Sequence, residues 1–205
     1  MVKYNGTNEK VKLQITCPDQ SCYTYLISDR GAYDTFPLTA GNGSYALQVL
    51  ENVAGDTYTV SLAQSINVSI EDEFLPFLYP NQYVNFHTDS KAVSKGSDLA
   101  KDTYSDLDVV QNIYNYVIKN ISYDTEKAQN VSYGYVPDID DTLSSKKGIC
   151  FDYAALMTSM LRSQNIPTKL EVGYSGDAYH AWISTYIDDK GWVDDIIQFN
   201  GDSWQ

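Results

Sequence analysis

The stretch Gly148-Ile149-Cys150-Phe151-Asp152-Tyr153-Ala154-Ala155-Leu156-Met157 runs on through Met160-Leu161-Arg162 and Ile166-Pro167-Thr168 to Tyr179-His180-Ala181-Trp182. Cys150, Ala154, Met157 and Leu161 recur at steps of four, three and four, one face of a 3.6-residue period, so a helix is predicted to begin at Cys150. It should stop near Asn165, because Pro167 has no amide hydrogen and cannot continue it. Cys150 then falls in the first turn, where unpaired backbone N–H groups and the positive end of the dipole favour a thiolate. Lys169 to Tyr174 reads as extended, and after a Gly-bearing turn His180-Ala181-Trp182-Ile183 alternates like a strand.

A Cys opening a helix, with a His on a strand 30 residues later, is the layout of a thiol nucleophile and its base. Each residue alone has a plainer reading. A Cys in an apolar run is commonly a small buried hydrophobe, and a His before Ala-Trp a satisfied structural residue. Helix start, strand and order together favour the pair. The other histidine, His87, lies in polar surroundings and reads as a surface residue. Two distant histidines and no paired cysteines beside them supply too few ligands for a metal, and no cofactor motif is present.

Gly-x-Cys-x-Asp-Tyr-Ala-x-Leu at 148–156, Leu-Arg-x-x-x-Ile-Pro at 161–167 and His-Ala-Trp at 180–182 resemble, in that order, the core of the transglutaminase-like superfamily, papain-like proteins with a Cys-His-Asp site. The resemblance implies an α+β catalytic core with Cys150 as nucleophile and His180 as general base, acting on protein or peptide amides. The superfamily spans cross-linking acyltransferases, proteases, amidases and inactive members. The reading is therefore thiol-dependent acyl transfer or hydrolysis. The alternatives are a cell-surface cysteine protease or amidase, with cell-wall peptide among the candidate substrates, and a binding or adhesion protein on a degenerate core. In the superfamily the third residue is an Asp beside the His strand, commonly four residues after a Trp. Four after Trp192 is Ile196, with Asp195 one short; four after Trp204 lies beyond Gln205. The expectation is a third acid just past Gln205, with Asp195 as the in-chain alternative and the catalytic domain cut short at its C-terminal end. The Cys150 backbone N–H is a plausible oxyanion donor. Trp182 either walls the cleft or, as favoured, packs in the core.

Composition bounds the rest. The 205 residues are 43% hydrophobic and 20% charged, a folded chain long enough for one large domain or two small ones. A net charge of −13 argues against nucleic acid or an anionic membrane as partner. No apolar run is long enough to span a bilayer. The 18 tyrosines against 6 phenylalanines suit a surface or secreted protein, so an extracellular or cell-surface location is expected, its export signal absent, with the cytoplasm left open. Cys17 and Cys22 flank Pro18-Asp19-Gln20-Ser21 between two strand-like runs; they are either joined in a disulfide, which suits an exported protein, or both reduced.

Along the chain, residues 1–72 read as a small all-β sandwich, an accessory domain. Its strands are expected at Lys10–Thr16, Tyr23–Ile27, Tyr45–Leu50, Tyr58–Leu62 and Ile66–Ile70. Residues 73–96 form a connector, with Leu75-Pro76-Phe77-Leu78-Tyr79-Pro80 as an extended strap and Ser94-Lys95-Gly96-Ser97 as a loop. The transglutaminase-like domain takes 97–205. It starts with a helix capped by Ser105 or Asp106 and striped by Leu107, Val110, Ile113, Tyr114, Val117, Ile118 and Ile121. Ile121-Ser122-Tyr123-Asp124 also recurs in the resembled superfamily, packed on the core. Residues 125–146 read as a long polar loop that walls the cleft or simply connects. After Ile187, Asp188-Asp189-Lys190-Gly191 is a hairpin turn and Trp192–Phe199 the returning strand.

Overall fold

The computed structural model describes residues 1–27, 31–175 and 178–196. The chain forms two compact units, Met1–Pro76 and Phe77–Gln205, each with its own hydrophobic core.

The first unit holds β1 (Val2–Lys3), β2 (Val11–Thr16), β3 (Cys22–Leu26), β4 (Tyr33–Asp34), β5 (Gly43–Ala54) and β6 (Thr57–Val68). Four of them make an antiparallel sheet in the order β3-β2-β5-β6, and β1 pairs with β4 as a separate ribbon. Alternation decides the inner face: Val11, Leu13 and Ile15 are buried, while Lys12, Gln14 and Thr16 are only half-buried. Tyr45 and Val49 of β5 join this core with Ile27, Phe36 and Cys17, and the partly buried Val2, Tyr4, Leu38 and Ala40 pack against it. The fully buried Tyr45 keeps its phenol satisfied, accepting from Ala40 N–H at 3.1 Å and donating to the Gly41 carbonyl at 2.8 Å. The two short strands expected over 58–70 are one, β6. No Gly or Pro interrupts Ala63-Gln64-Ser65, and β5 supplies a partner of equal length. β6 is an edge strand without a charged residue, and its Val60 and Leu62 are exposed.

The second unit contains α1 (Lys91–Ala100), α2 (Asp106–Asn120), β7 (Ser122–Tyr123), α3 (Thr125–Gln129), α4 (Ile139–Ser145), β8 (Lys147–Gly148), α5 (Cys150–Ser163), β9 (Thr168–Ser175), β10 (Ala178–Ile187) and β11 (Gly191–Ile196). α5 is its centre. Every residue from Asp152 to Arg162 is buried, packed with Ile113 and Val117 of α2 and with Ala181 and Ile183 of β10. The helix begins at Cys150 and ends before Asn165, whose φ of +63° turns the chain out ahead of Pro167. The buried Arg162 has its guanidinium pKa pulled down to about 9 by burial and spends its donors on the Thr168 and Tyr79 carbonyls, at 2.9 and 2.7 Å. α2 begins as expected, with Ser105 Oγ accepting from Asp108 N–H.

Three local expectations fail for identifiable reasons. Ser94–Ser97 is not a loop but the middle of α1. Gly96 is buried there because a Cβ would come 3.1–3.2 Å from Met160 backbone atoms, so a Gly that weakens the helix locally lets it approach α5. Residues 125–146 are not a continuous loop. Asp124 and Asp138 cap two short helices, their carboxylates accepting from Lys127 N–H and from the Asp140 and Asp141 N–H groups. Leu75–Phe77 is a 3-10 turn rather than an extended strap.

Candidate active site

The start of α5 explains the Gly-x-Cys-x-Asp spacing. The N-cap, Ile149, has no capping side chain; instead Asp152 Oδ2 reaches back to accept the Ile149 N–H at 2.8 Å. Gly148 must be Gly because a Cβ would sit 2.7 Å from the Asp152 Cβ. Asp152 is fully buried, and its charge is answered by Lys127 Nζ at 2.7 Å and by a short hydrogen bond from the Tyr135 hydroxyl. Burial first, then the Asp152 carboxylate, push the Tyr135 phenol far above its ordinary pKa, so it stays a donor. Lys127 also donates to the Tyr135 oxygen at 2.6 Å. No motif or spacing points to Lys127 and Tyr135, which lie where a loop is expected.

This anchor leaves the first-turn N–H groups turned toward the half-buried sulfur. Burial raises the Cys150 thiol pKa; the N–H groups of Ala181, Phe151 and Cys150 itself pull it down, and the Asp152 charge adds to the rise. The net direction is up, opposite to the shift expected at a helix start: desolvation outweighs the backbone N–H groups. Tyr123, brought alongside by the parallel pairing of β7 with β8, sets its phenol oxygen before the Cys150 N–H. Burial and the neighbouring Cys150 raise the pKa of that phenol too. The donor assigned from sequence to an oxyanion thus lies beside the Tyr123 phenol. The Ile-x-Tyr-Asp run was visible in the sequence, but only as packing.

The Ala181 N–H lies against the sulfur, so the helix start meets β10 at the residue after His180. His180 is half-buried and pairs with Gly173 across β9. Alternation groups His180 with Trp182 on one face and sets Ala181 with Ile183 on the core face. Trp182 leans across toward Gly173, where a Cβ would meet its ring at 3.0 Å; its ring thus lies along the His180 side of the sheet. On the same face Ser184 makes a short hydrogen bond to Glu171. Asp195 lies on β11 within a bulge. Ile183 pairs with Ile196 and Thr185 with Val193, so Asp194 and Asp195 together oppose Ser184. The backbone of Asp195 is thus level with Ser184, about 13 Å along β10 from His180. The other slot for the third acid, past Trp204, lies outside the described residues.

The cysteines of the first unit are both free. Thr16 pairs with Cys22, so the buried Cys17, next along β2, faces the core while Cys22 is exposed on the other face. Side chains on opposite faces cannot close a disulfide, and the sequence argument for export that rested on one is removed. His87 is exposed, as expected. Among the described residues no helix is long and apolar enough to cross a membrane.

Residues 94–194 match the transglutaminase-like superfamily core. A UPF0252 protein of Methanocaldococcus jannaschii is 32% identical over 98 residues, which cover 42% of this chain and 28% of that one. The kyphoscoliosis peptidase of Mus musculus is 30% identical over 107 residues, 46% of this chain and 16% of the peptidase. The chain thus spans less than a third of the length of either relative. A candidate cysteine protease from Cytophaga hutchinsonii, 15% identical, shares the fold with a TM-score of 0.50 over 92% of this chain and 76% of its own. With the helix-borne Cys, the His-Ala-Trp strand and this match in agreement, residues 94–194 are a transglutaminase-like superfamily domain.

Proposed function

We propose that the protein is a thiol enzyme that transfers or hydrolyses acyl groups of peptide amides at Cys150, with His180 as its base. The observation that carries this reading is the meeting of the α5 start with β10, where the Ala181 N–H faces the Cys150 sulfur. His180 takes the thiol proton, and the sulfur attacks the amide carbonyl. The tetrahedral intermediate collapses with cleavage of the C–N bond, and the imidazolium gives the proton to the departing amine or ammonia. The resulting thioester is then cleaved by water, giving an acid, or by an amine, giving a new amide. Two of the three relatives above carry protease or peptidase in their names, which favours water as acceptor. The Cys150 N–H, beside the Tyr123 phenol, is the donor proposed for the oxyanion.

Asp195 is the in-chain candidate for the group that orients His180, with its backbone level with Ser184. A setting outside the cell rests on composition, and cell-wall peptide is one candidate substrate there. The test is incubation with a glutamine-containing peptide, with and without an added amine, followed by intact-mass analysis. An acyl-enzyme on Cys150 and acid or amide product are expected, both lost in Cys150→Ala and at least 100-fold slower in His180→Ala. Product formation that survives Cys150→Ala would refute the reading.

A further inference from the structure

We propose that Phe151, Tyr83, Tyr179, Tyr174 and Val172 form a subsite that holds an aromatic side chain of a peptide substrate beside the reacting amide. This rests on the acyl-transfer reading of Cys150 and adds what the substrate must carry.

The row starts beside the nucleophile, since Phe151 follows Cys150 on α5, and it ends on β10 at Tyr179, on the face that Ala181 shares. The Tyr83 ring stands edge-on to Phe151 with centroids 5.3 Å apart. The Tyr83 phenol lies near Tyr179. Tyr179 pairs with Tyr174 across the β9–β10 ladder, their rings edge-to-face at 5.3 Å. Val172 and Tyr174 share a face with Tyr179 and Ala181. That face is buried under α5 at Ala181 and Ile183, then emerges uncovered beside Cys150, with Val172 43%, Tyr179 62% and Tyr174 76% exposed. Three uncovered apolar side chains continuing a buried face form a surface that gains by being covered.

The chemistry of the occupant follows from what lines the row. Two exposed rings offer both edges and faces to a third ring, an arrangement worth about 0.5–1.5 kcal/mol per pair beyond area burial. None of the five residues is charged, so nothing in the row holds a phosphate or carboxylate. The charges nearest Phe151, beside Tyr135, are the Asp152 carboxylate and the Lys127 ammonium, and they are paired with each other. A glycan stacked on the tyrosines would want polar side chains beside them for its hydroxyls, whereas the next positions on this face are Val172 and Ala181.

The test uses Cys150→Ala, which cannot acylate, and two glutamine peptides that differ only in Phe or Ala at the residue next to Gln. Calorimetry should show the Phe peptide bound at least fivefold more tightly. The Tyr174→Ala/Tyr179→Ala double substitution should abolish that preference, and Tyr104→Ala, which removes a 96% exposed tyrosine outside the row, should keep it. Equal affinities, a preference that survives the double substitution, or tighter binding of an N-acetylglucosamine oligomer would overturn the proposal. A preference that obeys the tyrosines, in a chain that forms no acyl-enzyme, leaves the subsite standing and removes the acyl-transfer reading alone.

Discussion

At the scale of single residues, Cys150 and Asp152 do opposite jobs two positions apart. Burial makes the Cys150 thiol hold its proton more tightly in the folded chain than in the unfolded one. The stability this contributes is complete below the unfolded thiol pKa of about 8.5, and is lost as pH rises through the higher folded value. Urea midpoints of the wild type and Cys150→Ser should therefore run parallel from pH 6 to 8 and separate above, the wild type falling faster; a constant separation up to pH 10 would contradict the buried thiol. Asp152 is fully enclosed, held by Lys127, Tyr135 and the Ile149 N–H. Asp152→Ala leaves the Ile149 N–H and the Tyr135 hydroxyl without their acceptor and the half-buried Lys127 without its partner, and should cost about 1–3 kcal/mol in chemical denaturation. A loss under 1 kcal/mol would show that Lys127 simply turns to solvent.

At the scale of elements, α1 and α5 meet where Gly96 has no side chain. Alanine is the better helix former by about 1 kcal/mol, yet its Cβ would press on the Met160 backbone, an overpacking worth about 1–3 kcal/mol. Gly96→Ala should lower stability by about 1 kcal/mol, whereas a stabilised variant would mean the two helices part without cost. The same position shows why α1 was illegible: a Gly between Ser and Lys residues signals a loop locally, and only the facing helix gives it a reason to be helical. α2, α5, β9 and β10 were legible because their apolar periodicity records which face is buried. α3 and α4 were not, being too short for periodicity to repeat; their aspartate caps were readable only after the ends were known. The nucleophile and base candidates could be read from motif and order. Lys127 and Tyr135 could not, because side chains that converge from distant loops leave no spacing.

At the scale of the whole molecule, the chain builds two cores that share no residue, and keeps its chemistry-bearing motifs in the second. The first has no comparable cluster among its described residues, but it presents Cys22 to solvent on the face opposite Cys17. That arrangement sets the conditions under which the molecule stays single. The inner thiol is sealed in the core and cannot be reached by its neighbour, so an oxidant finds one accessible sulfur per first unit, and the bond it makes joins two chains. Non-reducing electrophoresis after mild oxidation should show a covalent dimer that Cys22→Ser abolishes and Cys150→Ser leaves in place. In an oxidising medium this surface thiol would be capped or crosslinked, while in a reducing one it would stay free.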